Sequence, residues 1–149
     1  MSSTVLILNG PNLNLLGMRE TEIYGLQSLD DIRRMCDECA ASLSFKTDFK
    51  QSNHEGELIG WIHSAQSSGA KGLIINPAGL GHSSIALMDA ILSVRIPSIE
   101  VHLSNIFKRE EFRHHTYTSH AVNGVISGFG AHSYVLALHA LGDLLKKHA

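Results

Sequence analysis

The sequence predicts an α/β domain built on a doubly wound, five-stranded parallel sheet. Three observations carry that expectation. Short β-branched or apolar runs alternate with helix-period patterns along the chain. The length, 149 residues with 44% hydrophobic and 17% charged, suits a single domain over 1–149. No apolar run reaches the roughly 18 residues that a membrane span requires.

The first strand is Thr4 to Leu8, an unbroken apolar run. A long polar loop follows, from Asn9 to about Gln27. Ser28 opens the first helix, with Asp31 three residues on as its capping-box partner, and the helix runs to about Leu43. The second strand, Phe45 to Gln51, alternates Phe45, Thr47 and Phe49 and belongs near a sheet edge. The second helix runs from about Glu55 to Ser67 and buries Leu58, Ile59 and Ile62. Gly72 to Ile75 is the third strand, about Ser83 to Val94 the third helix, and Ser98 to Leu103 the fourth strand. The charged stretch Lys108 to His115 reads as a short helix. The fifth strand is about Ala121 to Ile126. The last helix starts at Ala131 and places Lys146 and Lys147 at its negative dipole end. Five such units give a flavodoxin-like strand order, 2-1-3-4-5, with the ligand crevice beyond the carboxyl ends of the strands.

Several function classes fall away on composition. A net charge of −2 argues against a nucleic-acid binder, which needs a basic stripe. The first residues carry no basic segment of the export type, so a cytoplasmic protein is expected. Cys36 and Cys39 form a C-x-x-C spacing, but in mid-helix beside Asp37 and Glu38, on the apolar stripe with Ile32 and Leu43. They read as buried reduced thiols rather than a redox pair. The chain holds 10 histidines, yet H-E-x-x-H is absent and His114 and His115 are adjacent. No metal site is expected. G-x-G-x-x-G and the P-loop motif are missing too, so no nucleotide cofactor is expected.

What remains is polar chemistry at the strand ends. Asn9-Gly10-Pro11-Asn12 follows the first strand, Asn76-Pro77-Ala78-Gly79 the third, and His102-Leu103-Ser104-Asn105 closes the fourth. They converge on one crevice suited to a small hydroxylated ligand. Glu100 and His102 stand two apart on a strand, hence on one face. A carboxylate there would fix the tautomer of the imidazole. The long first loop carries Arg19 and Tyr24, and a guanidinium beside a phenol favours its ionised form. A closing lid bearing that pair could supply a general base.

These residues fall in motifs that resemble one family, the type II 3-dehydroquinate dehydratases. The motifs are Leu8 to Gly17, Arg19-Glu20 with Ile23-Tyr24-Gly25, Gln51 to Leu58, Ile75 to Gly79 with His82-Ser83-Ser84, Glu100 to Asn105, and Arg109 to Arg113. The resemblance implies dehydration of 3-dehydroquinate without metal or organic cofactor, a step of aromatic biosynthesis or of quinate breakdown. It implies that Tyr24 takes the proton next to the ketone and that Arg19 stabilises the phenolate. Asn12 would help hold a water at the enolate, His102 would protonate the departing hydroxyl, and Glu100 would orient His102. Asn76, His82, Asp89, Leu103, Ser104 and Arg113 match substrate-binding positions. It also implies a dodecamer of four trimers in which Asp89 reaches a neighbour's site. Gly81, Ser83 and Met88 depart from the family pattern, which has a threonine on either side of the histidine and commonly a basic residue before the aspartate; Ser83 keeps a hydroxyl.

Overall fold

A computed structural model describes residues 3–147. The strands are β1 (Ser3–Asn9), β2 (Phe45–Gln51), β3 (Ala70–Asn76), β4 (Ser98–His102) and β5 (Gly124–Ser127). All pair in parallel, in the order β2-β1-β3-β4-β5, as the alternation of elements predicts. The principal helices are α2 (Leu29–Ser42), α3 (Glu55–Ser64), α4 (Ile85–Ser93) and α5 (His132–Lys147). A four-residue helix, α1 (Thr21–Tyr24), lies inside the long first loop.

Side-chain alternation along the strands divides the core in two. Val5, Ile7, Ile74, Ile99 and Val101 face α2 and α5, meeting Ile32, Cys36, Tyr134, Leu138 and Leu141. Leu6, Leu8, Leu73 and Ile75 face α3 and α4, meeting Leu58, Ile62, Leu87 and Ile91. Each fully buried aliphatic side chain contributes roughly 1.5–3 kcal/mol, so both faces anchor the sheet. The close packing of α5 is visible at Gly72, where a Cβ would stand 2.5 Å from Leu141 Cδ2. Because β4 gives its apolar residues to the α2/α5 face, Glu100 and His102 point to the opposite one.

Local signals act as expected. Ser28 Oγ accepts from the Asp31 N–H at 3.1 Å, and Asp31 Oδ2 accepts from the Ser28 N–H at 3.0 Å, completing the capping box. Those bonds hold the Asp31 carboxyl below its ordinary range. β2 is an edge strand with no fully buried residue. Burial pushes the Cys36 thiol up to about 12 and raises Cys39 as well, the reverse of a reactive dithiol.

Three expectations fail by more than two residues. The stretch from Lys108 to His115 is not one helix: short 3-10 turns at Ile106–Lys108 and Glu111–Arg113 are separated by extended backbone at Arg109 and Glu110. The Arg109 carbonyl accepts from His114 Nε2 at 2.9 Å, in place of a helical N–H. β5 starts at Gly124 rather than Ala121, because Thr118–His120 forms a 3-10 turn and Asn123 Oδ1 instead accepts from the Ser98 N–H at 2.8 Å. The second helix ends at Ser64, three residues early, where Ser64 Oγ bonds back to the Gly60 and Trp61 carbonyls.

Candidate active site

A pocket opens at the carboxyl ends of β1, β3 and β4, where the topology predicts it. Asn12, Arg19, Tyr24, Asn76, His82, His102, Leu103, Ser104 and Arg113 all line it. Glu100 stands behind His102, fully buried. Asp89 is exposed on α4 and lies outside this pocket.

The turn after β1 makes the approach between strand ends possible. The Gly10 N–H donates to the Asn76 carbonyl at 2.8 Å, and a Cβ on Gly10 would lie 2.4 Å from the Pro77 carbonyl oxygen. Only glycine fits so close a contact. Asn12 then turns left-handed at φ 72°, its N–H donating to Asn53 Oδ1 at 3.0 Å.

The floor of the pocket is a set of pre-made hydrogen bonds. His102 Nε2 and Glu100 Oε2 are 2.7 Å apart, both side chains nearly or wholly buried. With Nε2–H donating to the carboxylate, the tautomer is set and the ring orientation locked. Glu100 has further donors in Thr116 Oγ1, at 3.2 Å, and Thr118 Oγ1. A buried charge with three donors is compensated.

A second network orients Asn76. The Ala78 N–H donates to Asn76 Oδ1 at 3.1 Å, and Asn76 Nδ2 donates to the Tyr134 hydroxyl at 3.0 Å. Tyr134 donates in turn to Asn9 Oδ1 at 2.6 Å, and Asn9 Nδ2 donates to the Lys50 carbonyl at 3.0 Å. Backbone groups at both ends leave one consistent polarity, so the face that Asn76 offers the pocket is set. Burial pushes the Tyr134 phenol well above its usual range and keeps it a donor. His82 Nδ1 donates to the His115 carbonyl at 2.9 Å, and desolvation lowers its pKa. A neutral ring with Nε2 left as an acceptor results.

The loop after β1, expected to act as a lid, is built differently. A 3-10 turn, Leu13–Leu15, buries Leu13 and Leu16 under the pocket, while Met18 and Leu26 are exposed. Tyr24, at the end of α1, has two guanidiniums close to its ring: Arg19 Cζ at 5.0 Å and Arg109 Cζ at 5.1 Å from the centroid. The Arg19–Tyr24 pairing expected from sequence is therefore present. The sequence motifs include Arg109 and Asn9 without giving either a role of its own, and Thr116, Thr118 and Tyr134 fall outside them. The two threonines share the i, i+2 spacing of Glu100 and His102, the one signal that could have flagged them. Among the described residues, no three His, Cys, Asp or Glu side chains converge as metal ligands. No helix there is long and apolar enough to cross a membrane.

The arrangement places a cation-flanked phenol and a carboxylate-bound imidazole on one small polar pocket. That pairing can move a proton off one atom and onto another.

Comparison with known proteins points to one family. Residues 3–142 match the family model described as dehydroquinase class II. A 3-dehydroquinate dehydratase of Rhizobium meliloti strain 1021 is 57% identical over 147 residues, 99% of each chain. A protein of the same name from Caulobacter vibrioides is 56% identical over 146 residues, 98% of this chain and 99% of that one. The crystal structure of a type II dehydroquinase from Propionibacterium acnes superposes with a TM-score of 0.91 at 43% identity, covering 96% of this chain and 98% of the other.

Proposed function

This chain belongs to the class II dehydroquinase family, and from that premise we propose that it dehydrates 3-dehydroquinate to 3-dehydroshikimate. The observation that carries the proposal is the shared pocket of Tyr24, with its two arginines, and His102, with its buried carboxylate.

A β-hydroxy ketone loses water once its α-proton is removed and the resulting enolate stabilised. Tyr24, as the phenolate, takes the α-proton; the C–H electrons form a C=C bond and the carbonyl π pair moves onto oxygen, giving an enolate. Arg19 balances the charge on the phenolate, and Asn12 holds a water against the enolate oxygen. Collapse of the enolate then breaks the C–O bond, and His102 gives the departing hydroxyl its proton. Glu100 compensates the charge of the imidazole when it carries both protons. Asn76, His82, Leu103, Ser104 and Arg113 bind the substrate, with Leu103 and Ser104 offering backbone N–H groups to its carboxylate. No cofactor takes part. Closure of the lid keeps bulk water from the enolate.

Lysine chemistry has no foothold, since no lysine lines this pocket. The exposed position of Asp89, away from its own pocket, supports the family assembly of four trimers, in which it completes a neighbour's site. Native mass measurement tests that assembly; a monomer retaining full turnover would refute it. The activity itself is tested with purified protein and 3-dehydroquinate, without added metal. Ultraviolet absorbance of a conjugated enone should appear, and its absence with folded protein would refute the assignment.

A further inference from the structure

We propose that Thr116 and Thr118 are positioning residues for this reaction, and that their hydroxyls clamp both oxygens of Glu100 so that it presents one fixed lone pair to His102. The proposal rests on the role given to His102 above.

The polarity of the clamp follows from its surroundings. Glu100 Oε2 accepts from His102 Nε2 at 2.7 Å and from Thr116 Oγ1 at 3.2 Å, while Oε1 accepts from Thr118 Oγ1. A hydroxyl owns one proton. Thr116 Oγ1 already accepts the Ser119 N–H at 3.0 Å, so its own proton is the one that points to Glu100. With both oxygens occupied, the carboxylate cannot rotate about its terminal bond without losing a donor. Both threonines and Glu100 are buried, so water does not readily replace a lost bond.

The clamp is tied to the substrate side of the pocket. The Tyr117 N–H donates to the Gly81 carbonyl at 2.8 Å, and His82 Nδ1 donates to the His115 carbonyl at 2.9 Å. The threonine segment is thus held against the Ala78–His82 turn. Here the departure at Gly81 acquires a meaning. A Cβ at that position would stand 3.2 Å from Thr118 Oγ1 and 2.8 Å from Pro77 Cγ. The missing side chain leaves room for the Thr118 hydroxyl. Other ionisable groups near the carboxylate are His102 on its own strand, and His82 and Arg113 in the pocket wall. His115 and His120, on the threonine segment, and Asp89, on α4, are exposed.

The test compares Thr118→Val, which keeps the shape and removes the donor, with Thr118→Ser, which keeps the donor. In Thr118→Val we expect kcat to fall about tenfold, as for loss of one hydrogen bond to a charged group, with KM within about twofold. A carboxylate with one donor fewer binds protons more readily, so the acidic limb of kcat should move to higher pH. Thr118→Ser should return both to near the wild-type values. Gly81→Ala, which removes no donor, should shift the pH profile in the same direction. Wild-type kcat and pH profile in folded Thr118→Val would overturn the proposal, as would equal impairment of the serine variant. If Thr118→Val does not fold, Thr116→Val takes its place with the same expected directions, and no change there overturns the proposal. The 15N resonances of the His102 ring give a readout independent of turnover. They should move between wild type and the valine variant even if wild type proves inactive on 3-dehydroquinate, and unmoved resonances would overturn the clamp alone.

Discussion

The floor of the pocket and its lid reach the same chemistry by opposite means. On the floor, Glu100, His102, Asn76 and Tyr134 are buried and every one is hydrogen-bonded before any substrate arrives. On the lid, Arg19 keeps 34% of its side chain exposed, its one ion pair is with exposed Glu20, and it meets Tyr24 by stacking alone. A floor residue therefore acts in folding as well as in catalysis. The Arg19 guanidinium and the Tyr24 hydroxyl contribute to catalysis with little stake in stability, although the Tyr24 ring packs on the core. Separating those two costs is the most direct way to test the contrast.

The largest expected effects come from the two proton-transfer groups. Tyr24→Phe should lower kcat about 10²–10⁴-fold, the range for a lost general base, and leave the melting temperature unchanged. His102→Ala should lose turnover on the same scale and also about 1–3 kcal/mol of stability, because Glu100 stays buried with one donor fewer. Equal melting temperatures for the two variants would break the contrast. Tyr134→Phe comes next. It keeps the ring but strands Asn9 Oδ1 and leaves the Asn76 amide held by the Ala78 N–H alone, so denaturant melts should register about 1–3 kcal/mol and steady-state kinetics a raised KM. Arg19→Lys is milder: a point charge replaces a planar group stacked on the ring. A cation–π contact is worth roughly 0.5–2 kcal/mol, and we expect about a tenfold drop in kcat without a change in melting.

The smallest effect concerns the cysteines. Alkylation at pH 8 should modify Cys39 and spare Cys36 until the chain unfolds, and replacing both by alanine should leave turnover intact. Cys36 also has an alkaline signature. Its folded thiol holds its proton from the ordinary value of 9.0 up to about 12, while the unfolded thiol has already lost it. Stability should thus fall as pH rises through that window, and Cys36→Ala should lose that part of the decline.

What could be read from the sequence follows the same divide. Periodicity and capping are local, and they placed the strands, the Ser28–Asp31 box and the edge position of β2. Strand parity put Glu100 and His102 on one face, and the family motifs brought Arg19 and Tyr24 to one pocket. The supports escaped notice because their partners are distant: Thr118 meets Glu100 across 18 residues, and Asn76 meets Tyr134 across 58. A threonine in a polar stretch or a tyrosine in an amphipathic helix carries no local mark of such a bond. The Lys108–His115 stretch misled for a related reason. Its composition is helical, but the His114 side chain captures the carbonyl that would have propagated the helix.

The bond between Asn9 and Tyr134 spans 125 residues and has a consequence for timing. At synthesis rates of about 5–20 residues per second, Asn9 waits on the order of 10 s for its partner to be made. All the groups that move protons emerge earlier. Until α5 docks, the Asn76 amide is held only through Oδ1 by the Ala78 N–H and its Nδ2 has no Tyr134 partner, so a nascent or C-terminally truncated chain carries the reacting groups without a finished substrate seat. The last helix works as a completion signal, and a chain truncated before Tyr134 should bind 3-dehydroquinate more weakly than the full chain.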